Sequence, residues 1–446
     1  MSVTSVLPEA LEKASMKMLA RMDVVTLHFM ENCVSCAFCK YECPFWHVDE
    51  KYSPVNKAEE ARRIYRKELT LAGKILGPLV HAGKPTKDEE ITRILEYSYA
   101  ACSNCGACYN TCPFGIDSGY LINMLRTFLH SAGATPSPLK ELVELEVSGK
   151  CIEVEGLKRA WEDVLKRISE ALGKDVPLDR KGVEVLLLPS LVEAALHPSA
   201  VVSAARVLEK SGVSWTLPSK PLGIRPPLSL LVGDVWSAKR QLESINNYVE
   251  KLNVKKVVLL DGGFAYPAFR WDMPSLIGKK PNYEVLHLVE FVRNAIKEDR
   301  LKLKKTSEKI TWHSPCQLAR RGGVTREAVE ILSAASENFK RTPHDGEHTY
   351  CCGSGDAIGF IAPSLGRKIA ELAGVTSGPP KELEGKIEKN YKIAAKRKLD
   401  DILKTGADTV ITACPTCITT IETTSKVYGI SLRTIHIADF IAERLE

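Results

Sequence analysis

The chain has 446 residues, 44% apolar and 26% charged, with a formal net charge of +6. That length exceeds one hydrophobic core and implies two or three domains. So mild a basic excess, with no aromatic-plus-basic cluster, excludes a nucleic-acid binder, and no segment reaches a membrane-spanning length. In chain order, residues 1–30 read as helical, although Lys17, Arg21 and Asp23 interrupt the apolar run MKMLARMDVVTLHFM. A first cysteine run follows, then a cysteine-free helical stretch over 44–101, a second run over 102–113, and the helix-like GYLINMLRTFLHSAG. ATPSPLK at 134–140 marks a boundary. Two charged amphipathic helices around Cys151 form a connector over 136–181.

From 182 short apolar strands alternate with helices, the signature of a parallel α/β unit: VEVLLLP, SWTLP, a long helix near 235–252, KKVVLLDGG and YEVLHL. NAIKEDRLKLKKTSEK (294–309) reads as a charged linker. The order then repeats. LLLPS (186–190) aligns with WHSPC (312–316), Lys220-Pro221-Leu222-Gly223 with Tyr350-Cys351-Cys352-Gly353, LLDGGFAY (259–266) with ITACPTCI (411–418), and YEVLHLVEFV (283–292) with LRTIHIADFI (432–441). The second half carries about 22 extra residues, placed in a loop near 360–382. The expected architecture is α+β and multidomain. A helical two-cluster ferredoxin-like domain (1–135) and the connector (136–181) precede a tandem duplicated α/β domain, with a degenerate first repeat (182–293) and a second repeat (294–446).

The fourteen cysteines carry the chemistry. A disulfide framework belongs to short secreted chains, and this sequence shows neither that length nor a signal peptide, so reduced thiols that ligate metal in a cytoplasmic setting are expected. Cys33-x2-Cys36-x2-Cys39-x3-Cys43-Pro44 and Cys102-x2-Cys105-x2-Cys108-x3-Cys112-Pro113 have the spacing of two-cluster ferredoxins. Three thiolates two residues apart wrap one corner of a cubane, and the fourth reaches the other cluster. Cys33, Cys36, Cys39 and Cys112 should therefore hold one [4Fe–4S] cluster, and Cys102, Cys105, Cys108 and Cys43 the second. Zinc, which takes two close pairs, leaves the third evenly spaced cysteine and the Cys-Pro unexplained.

Cys316, Cys351, Cys352, Cys414 and Cys417 form the third group, with Gly353 and Gly355 placed to let backbone approach a bulky inorganic centre. A vicinal disulfide, a structural zinc, unrelated buried thiols, a catalytic dithiol and an iron–sulfur centre all remain open on spacing alone. The whole pattern, two ferredoxin runs ahead of C-x(n)-CCG-x(n)-C-x-x-C in a duplicated α/β domain, resembles the D-type polypeptide of heterodisulfide reductase over residues 30–446. It is also similar to the K-type polypeptide of the dissimilatory sulfite reductase membrane complex, and to the iron–sulfur subunits of glycolate oxidase and anaerobic glycerol-3-phosphate dehydrogenase. The resemblance implies that the five cysteines bind a third, noncubane [4Fe–4S] cluster where a disulfide is cleaved. The first repeat departs from the family with Ser190, Leu222 and Gly262 at ligand positions, so one such cluster can form.

His313, His344 and His348 are candidate proton donors to a leaving thiolate, and Asp356 is as suited to capping a helix as to chemistry. The basic helix holding Lys386, Lys389, Lys392, Lys396, Arg397 and Lys398 reads as a solvated face, and no phosphate-binding loop or dinucleotide fingerprint is present. The expected function is a heterodisulfide-reductase-like subunit that relays electrons to a disulfide, a trisulfide or the corresponding thiols, as a small molecule or a persulfidated protein. Its implied donor is a cytochrome b-type membrane subunit or another redox partner, which would hold it at the inner membrane face. The alternatives are a non-catalytic electron wire serving a flavin-dependent glycolate, lactate or glycerol-3-phosphate dehydrogenase, and a zinc-dependent scaffold.

Overall fold

The structure, a computed structural model, describes residues 8–446. The helix expected over 1–30 is two helices, Pro8–Leu19 and Val24–Glu31, and its first seven residues lie outside the described residues. The second starts where Asp23 accepts a hydrogen bond from the Thr26 amide at 2.7 Å. Ser53 and Pro54 open Pro54–Leu69 in the same way, as N-cap and first helical residue. The helix Ser118–Ser131, capped by Asp117, buries Leu121, Leu125, Phe128 and Leu129 along one stripe. It packs on Pro8–Leu19 and Pro54–Leu69 to make the helical half, with each of those side chains contributing about 1.5–3 kcal/mol. The two helices beside Cys151 are Ser137–Val147 and Glu155–Leu172, and the second packs on the helices Leu191–Leu196 and Pro198–Lys210 that follow.

Beyond them lie two four-stranded parallel sheets of the same topology. The first contains β1 (Val185–Leu188), β2 (Trp215–Thr216), β3 (Lys256–Leu259) and β4 (Glu284–His287) in the order β2-β1-β3-β4. The second contains β5 (Thr306–Trp312), β6 (Ser336–Arg341), β7 (Thr409–Thr412) and β8 (Arg433–His436) in the order β6-β5-β7-β8. Val185 lies opposite Lys256 and Leu188 opposite Leu259 in one sheet, while Ile310 lies opposite Thr409 and Trp312 opposite Ile411 in the other. β1 and β7 are buried at all four positions, as parallel strands covered on both faces must be. The duplicated α/β architecture is thus present as expected.

Three local expectations need correcting. The charged segment 294–309 is no linker: the helix Leu288–Lys297 runs into it, and β5 begins at Thr306. The extra residues of the second repeat are not a loose loop. Pro363–Leu372 is a helix that packs on Leu191–Leu196 and Pro415–Val427, and thus touches both repeats. The helix Lys381–Leu403 is not simply solvated: Asn390 and Lys386 bond Ala100 O (3.0 Å) and Glu96 (2.5 Å) of the helical half, and Lys398 is buried beside Asp401.

Candidate metal centres

In an open parallel sheet, ligands bind beyond the carboxyl ends of the two strands between which the strand order reverses. Here those strands are β5 and β7. Chain leaving β5 carries His313 and Cys316, chain leaving β7 carries Cys414 and Cys417, and the loop after β6 brings Cys351 and Cys352. All five thiols are buried, at 2–5% exposure. They form two touching groups: Cys352, Cys414 and Cys417 pack together, with Cys417 Sγ 3.5 Å from Cys352 Sγ, while Cys316 and Cys351 pack against Cys105 of the second ferredoxin run.

His313 belongs to this site. Its ring is fully buried, neither nitrogen has a hydrogen-bond partner among the described residues, and a ring nitrogen lies within 4.8 Å of the sulfurs of Cys352 and Cys417. Burial lowers its pKa, against the opposing pull of Cys352. The other two histidines are elsewhere: His344 stacks on Tyr350 at 3.9 Å and bonds Asp401, and His348 sits on the surface. Asp356 neither caps a helix nor faces the thiols; it pairs with buried Arg126. Gly353 and Gly355 serve packing. A Cβ on Gly353, at φ +95°, would lie 2.8 Å from Tyr391 O in the helix Lys381–Leu403, and one on Gly355 would meet Ser103 O at 3.4 Å. The Gly353 amide itself donates to Cys351 Sγ at 3.3 Å.

The ferredoxin runs line two small cavities. One small cavity is lined by Cys33, Cys36, Cys39 and Cys112, and another by Cys43, Cys102, Cys105 and Cys108, so each run supplies three thiols to one and a single thiol to the other. Left-handed backbone at Ser35, Ala37, Asn104 and Gly106 aims the close-spaced thiols inward. Cys36 is exposed, with Val34, Phe38 and Phe114 exposed nearby.

Electrostatics agree with cation-bound sulfur. Burial and the nearby Cys112 push the Cys39 thiol up to about 12, and burial also raises Cys108 well above the ordinary range. Packed against Cys351 and buried, Cys105 is raised too. Cys352 is held low by hydrogen bonds from Cys351 and Cys417, and Cys414 by Cys417 with help from Arg225. A bound metal cation favours the thiolate form and would offset the cost of charging thiols this crowded and desolvated. The two all-thiol cradles fit iron–sulfur ligation, and at the five-cysteine site the orphaned His313 ring adds a nitrogen donor beside Cys352 and Cys417.

Sequence reasoning missed three buried cations beside these thiols. Lys57 Nζ lies 3.6 Å from Cys43 Sγ and 2.6 Å from Ala101 O. Arg126 holds Ser98 O and Cys102 O, and Arg225 Nη2 lies 3.6 Å from Cys414 Sγ. Nothing in a charged amphipathic helix marks Lys57 as inward-facing, whereas Arg225 has a signal in its place two residues after Gly223, within the degenerate copy of the CCG loop.

Thiols arranged this way define an iron–sulfur protein that joins a dicluster ferredoxin-like region to duplicated CCG-type α/β domains. Residues 29–116 match the family described as 4Fe-4S dicluster domain, and residues 310–372 and 383–422 match the cysteine-rich domain family. The chain thus pairs a 4Fe-4S dicluster region with a CCG-type cysteine-rich region, and it is distantly similar to the D-type polypeptide of heterodisulfide reductase. It is 24% identical over 408 residues to that polypeptide of the dihydromethanophenazine:CoB–CoM heterodisulfide reductase of Methanosarcina barkeri, covering 89% of each chain. The Hdr-like menaquinol oxidoreductase iron-sulfur subunit of Archaeoglobus profundus is 25% identical, over 76% of this chain and 68% of that one. The EtfAB:quinone oxidoreductase of Syntrophomonas wolfei is 26% identical, over 88% of this chain and 54% of that protein. No described helix is long and apolar enough to cross a membrane.

Proposed function

We propose that this chain is the iron–sulfur subunit of a heterodisulfide-reductase-like oxidoreductase, acting on a disulfide, a trisulfide or the corresponding thiols at Cys316, Cys351, Cys352, Cys414 and Cys417. The observation that carries the reading is the contact between sites: Ser103 Oγ, inside the second ferredoxin run, lies 3.3 Å from Cys351 Sγ. The second ferredoxin site thus touches the five-cysteine site, and the crossed thiols Cys43 and Cys112 tie it to the first, an arrangement that suits an electron relay. When bound, two [4Fe–4S] clusters at the ferredoxin runs and a further, noncubane one at the five cysteines supply one-electron steps and a sulfur-binding terminus. The residues supply the rest. Gly353 N and Ser103 orient Cys351, burial excludes water from the five thiols, and His313, beside Cys352, takes up a proton only when a neighbouring thiolate offsets its burial and can then pass it to a departing thiolate. The exposed apolar edge around Cys36 is where a redox partner, such as a membrane cytochrome, reaches the first site.

A second reading has support from the same burial. Because none of the five thiols is more than 5% exposed, the C-terminal centre also suits a pure electron carrier for a flavin-dependent partner. Anaerobic purification with iron and sulfide analysis tests both readings against zinc, since three clusters require about twelve irons at about four each. Added thiol should then change the EPR spectrum of the oxidised protein, and Cys351→Ala should abolish disulfide reduction while both ferredoxin clusters survive. Retained reduction in that variant refutes the first reading, and an inert EPR spectrum favours the carrier.

A further inference from the structure

The first repeat has no cysteine, yet its ligand positions are not empty of chemistry. Ser190, which aligns with Cys316, caps Leu191–Leu196 in a reciprocal box with Glu193. Gly262, which aligns with Cys414, donates its amide to Ala413 O at 2.7 Å, so the two repeats touch at their equivalent loops. Arg225 fills the space that remains. Its Nε and Nη2 each lie 2.7 Å from an oxygen of Asp261, a two-pronged pair buried to 2% side-chain exposure on both partners. Nη1 donates to Thr416 Oγ1 at 2.9 Å, and Nη2 reaches Cys414 Sγ at 3.6 Å. A Cβ on Gly263 would overlap the guanidinium where it now sits, so glycine there leaves room for the Arg225–Asp261 pair.

We propose that the degenerate repeat has become the electrostatic wall of the intact one, with Arg225, oriented by Asp261, acting as a positioning residue that hydrogen-bonds Cys414 and sets the reduction potential of the C-terminal centre. The inference rests on the reading that the five cysteines hold an iron–sulfur centre. A cation donating to a ligand sulfur favours the reduced, more negative state, so it raises the potential. Asp261 fixes the fork and partly cancels its charge. Opposite effects on the two sides of the pair follow: Arg225→Gln removes the donor and the charge, while Asp261→Asn keeps the donor and strengthens the net positive field. The surroundings suit arginine: its fork satisfies Asp261, Thr416 and Cys414 together, which a lysine ammonium, as a single point, does not reproduce.

The test is potentiometric EPR on anaerobically purified full-length wild type, Arg225→Gln, Arg225→Lys and Asp261→Asn, each with its iron content. The expected result is a negative shift of the C-terminal signal in Arg225→Gln, a smaller one in Arg225→Lys, a positive shift in Asp261→Asn, and ferredoxin signals unmoved in all three. Loss of the centre in Arg225→Gln with its return in Arg225→Lys also supports the inference, since the charge is then what holds it. An unmoved potential in a fully loaded Arg225→Gln, shifts of one sign in Arg225→Gln and Asp261→Asn, or loss of the centre in both Arg225 variants overturns it. A wild-type protein with about eight irons and no third signal instead removes the reading of the five-cysteine site, and this inference with it.

Discussion

Replacing Arg126 with methionine should unlock the joint between the helical half and the α/β half. The guanidinium is fully buried and donates to Ser98 O (2.8 Å), Cys102 O (3.1 Å) and Leu231 O (3.1 Å) while pairing with Asp356. One residue thereby ties the second ferredoxin run, the first repeat and the loop that carries Cys351 and Cys352. Methionine keeps the aliphatic volume but strands the Asp356 carboxylate, and breaking a buried pair from one side costs about 3–5 kcal/mol. Three carbonyls losing their donor add about 1 kcal/mol each, for a total of about 6–8 kcal/mol. At about 2–4 °C per kcal/mol for a unit of about 150–250 residues, the apparent Tm should fall by roughly 12–32 °C. The double variant Arg126→Met/Asp356→Asn removes the stranded charge and should recover about half of that loss. Circular dichroism melting of the anaerobic, iron-replete proteins measures both. A single variant that melts with wild type, or a double variant that melts no later than the single, refutes the argument.

Lys57→Met should lower the midpoint potential of the second ferredoxin cluster and leave the first unmoved. A unit charge about 6 Å away at an effective dielectric constant of about 20 contributes about 3 kcal/mol, which is on the order of 100 mV for one electron at about 59 mV per tenfold change. Redox titration reads the shift, and equal midpoints in variant and wild type would contradict the placement of Lys57 beside Cys43. Acid should weaken the fold through histidines buried neutral. His287 donates from Nε2 to Leu260 O and accepts from Val289 N at Nδ1, and burial lowers its pKa to about 3, as it lowers His436 to about 4. With an unfolded value near about 6.5, the unfolded chain binds protons that the native chain refuses as pH falls below about 6.5, so stability declines from there towards about pH 4. His287→Gln should flatten the slope of urea midpoint against pH over that window, and an unchanged slope would refute the assignment.

Much of the site was legible because thiol ligation leaves a spacing record. The crossed sharing of Cys43 and Cys112 between ferredoxin cavities follows from the inability of a fourth cysteine to reach its own corner, and the cavities have those linings. The duplication was legible from aligned apolar strands, which reappear as two sheets of one strand order. β6 was not legible, because SENFKR is an edge strand with most side chains exposed and lacks a buried face to pattern it. The helix Pro363–Leu372 reads as loop in the sequence because its partners lie in the other repeat and in Pro415–Val427, so only tertiary packing explains it. Lys57, Arg126 and Arg225 escaped for a related reason: a buried cation looks like a surface one until its carbonyl and sulfur partners, far along the chain, are known.

The pairing of Arg126 with Asp356 spans 230 positions. A ribosome working at about 5–20 residues per second needs on the order of 10–50 s to make that stretch. Throughout that interval Arg126 lacks its counter-charge and the second ferredoxin run lacks the surface it leans on. The eight early cysteines therefore emerge well before Asp356 is made, and the joint that braces the second ferredoxin run closes only after that residue has joined the chain.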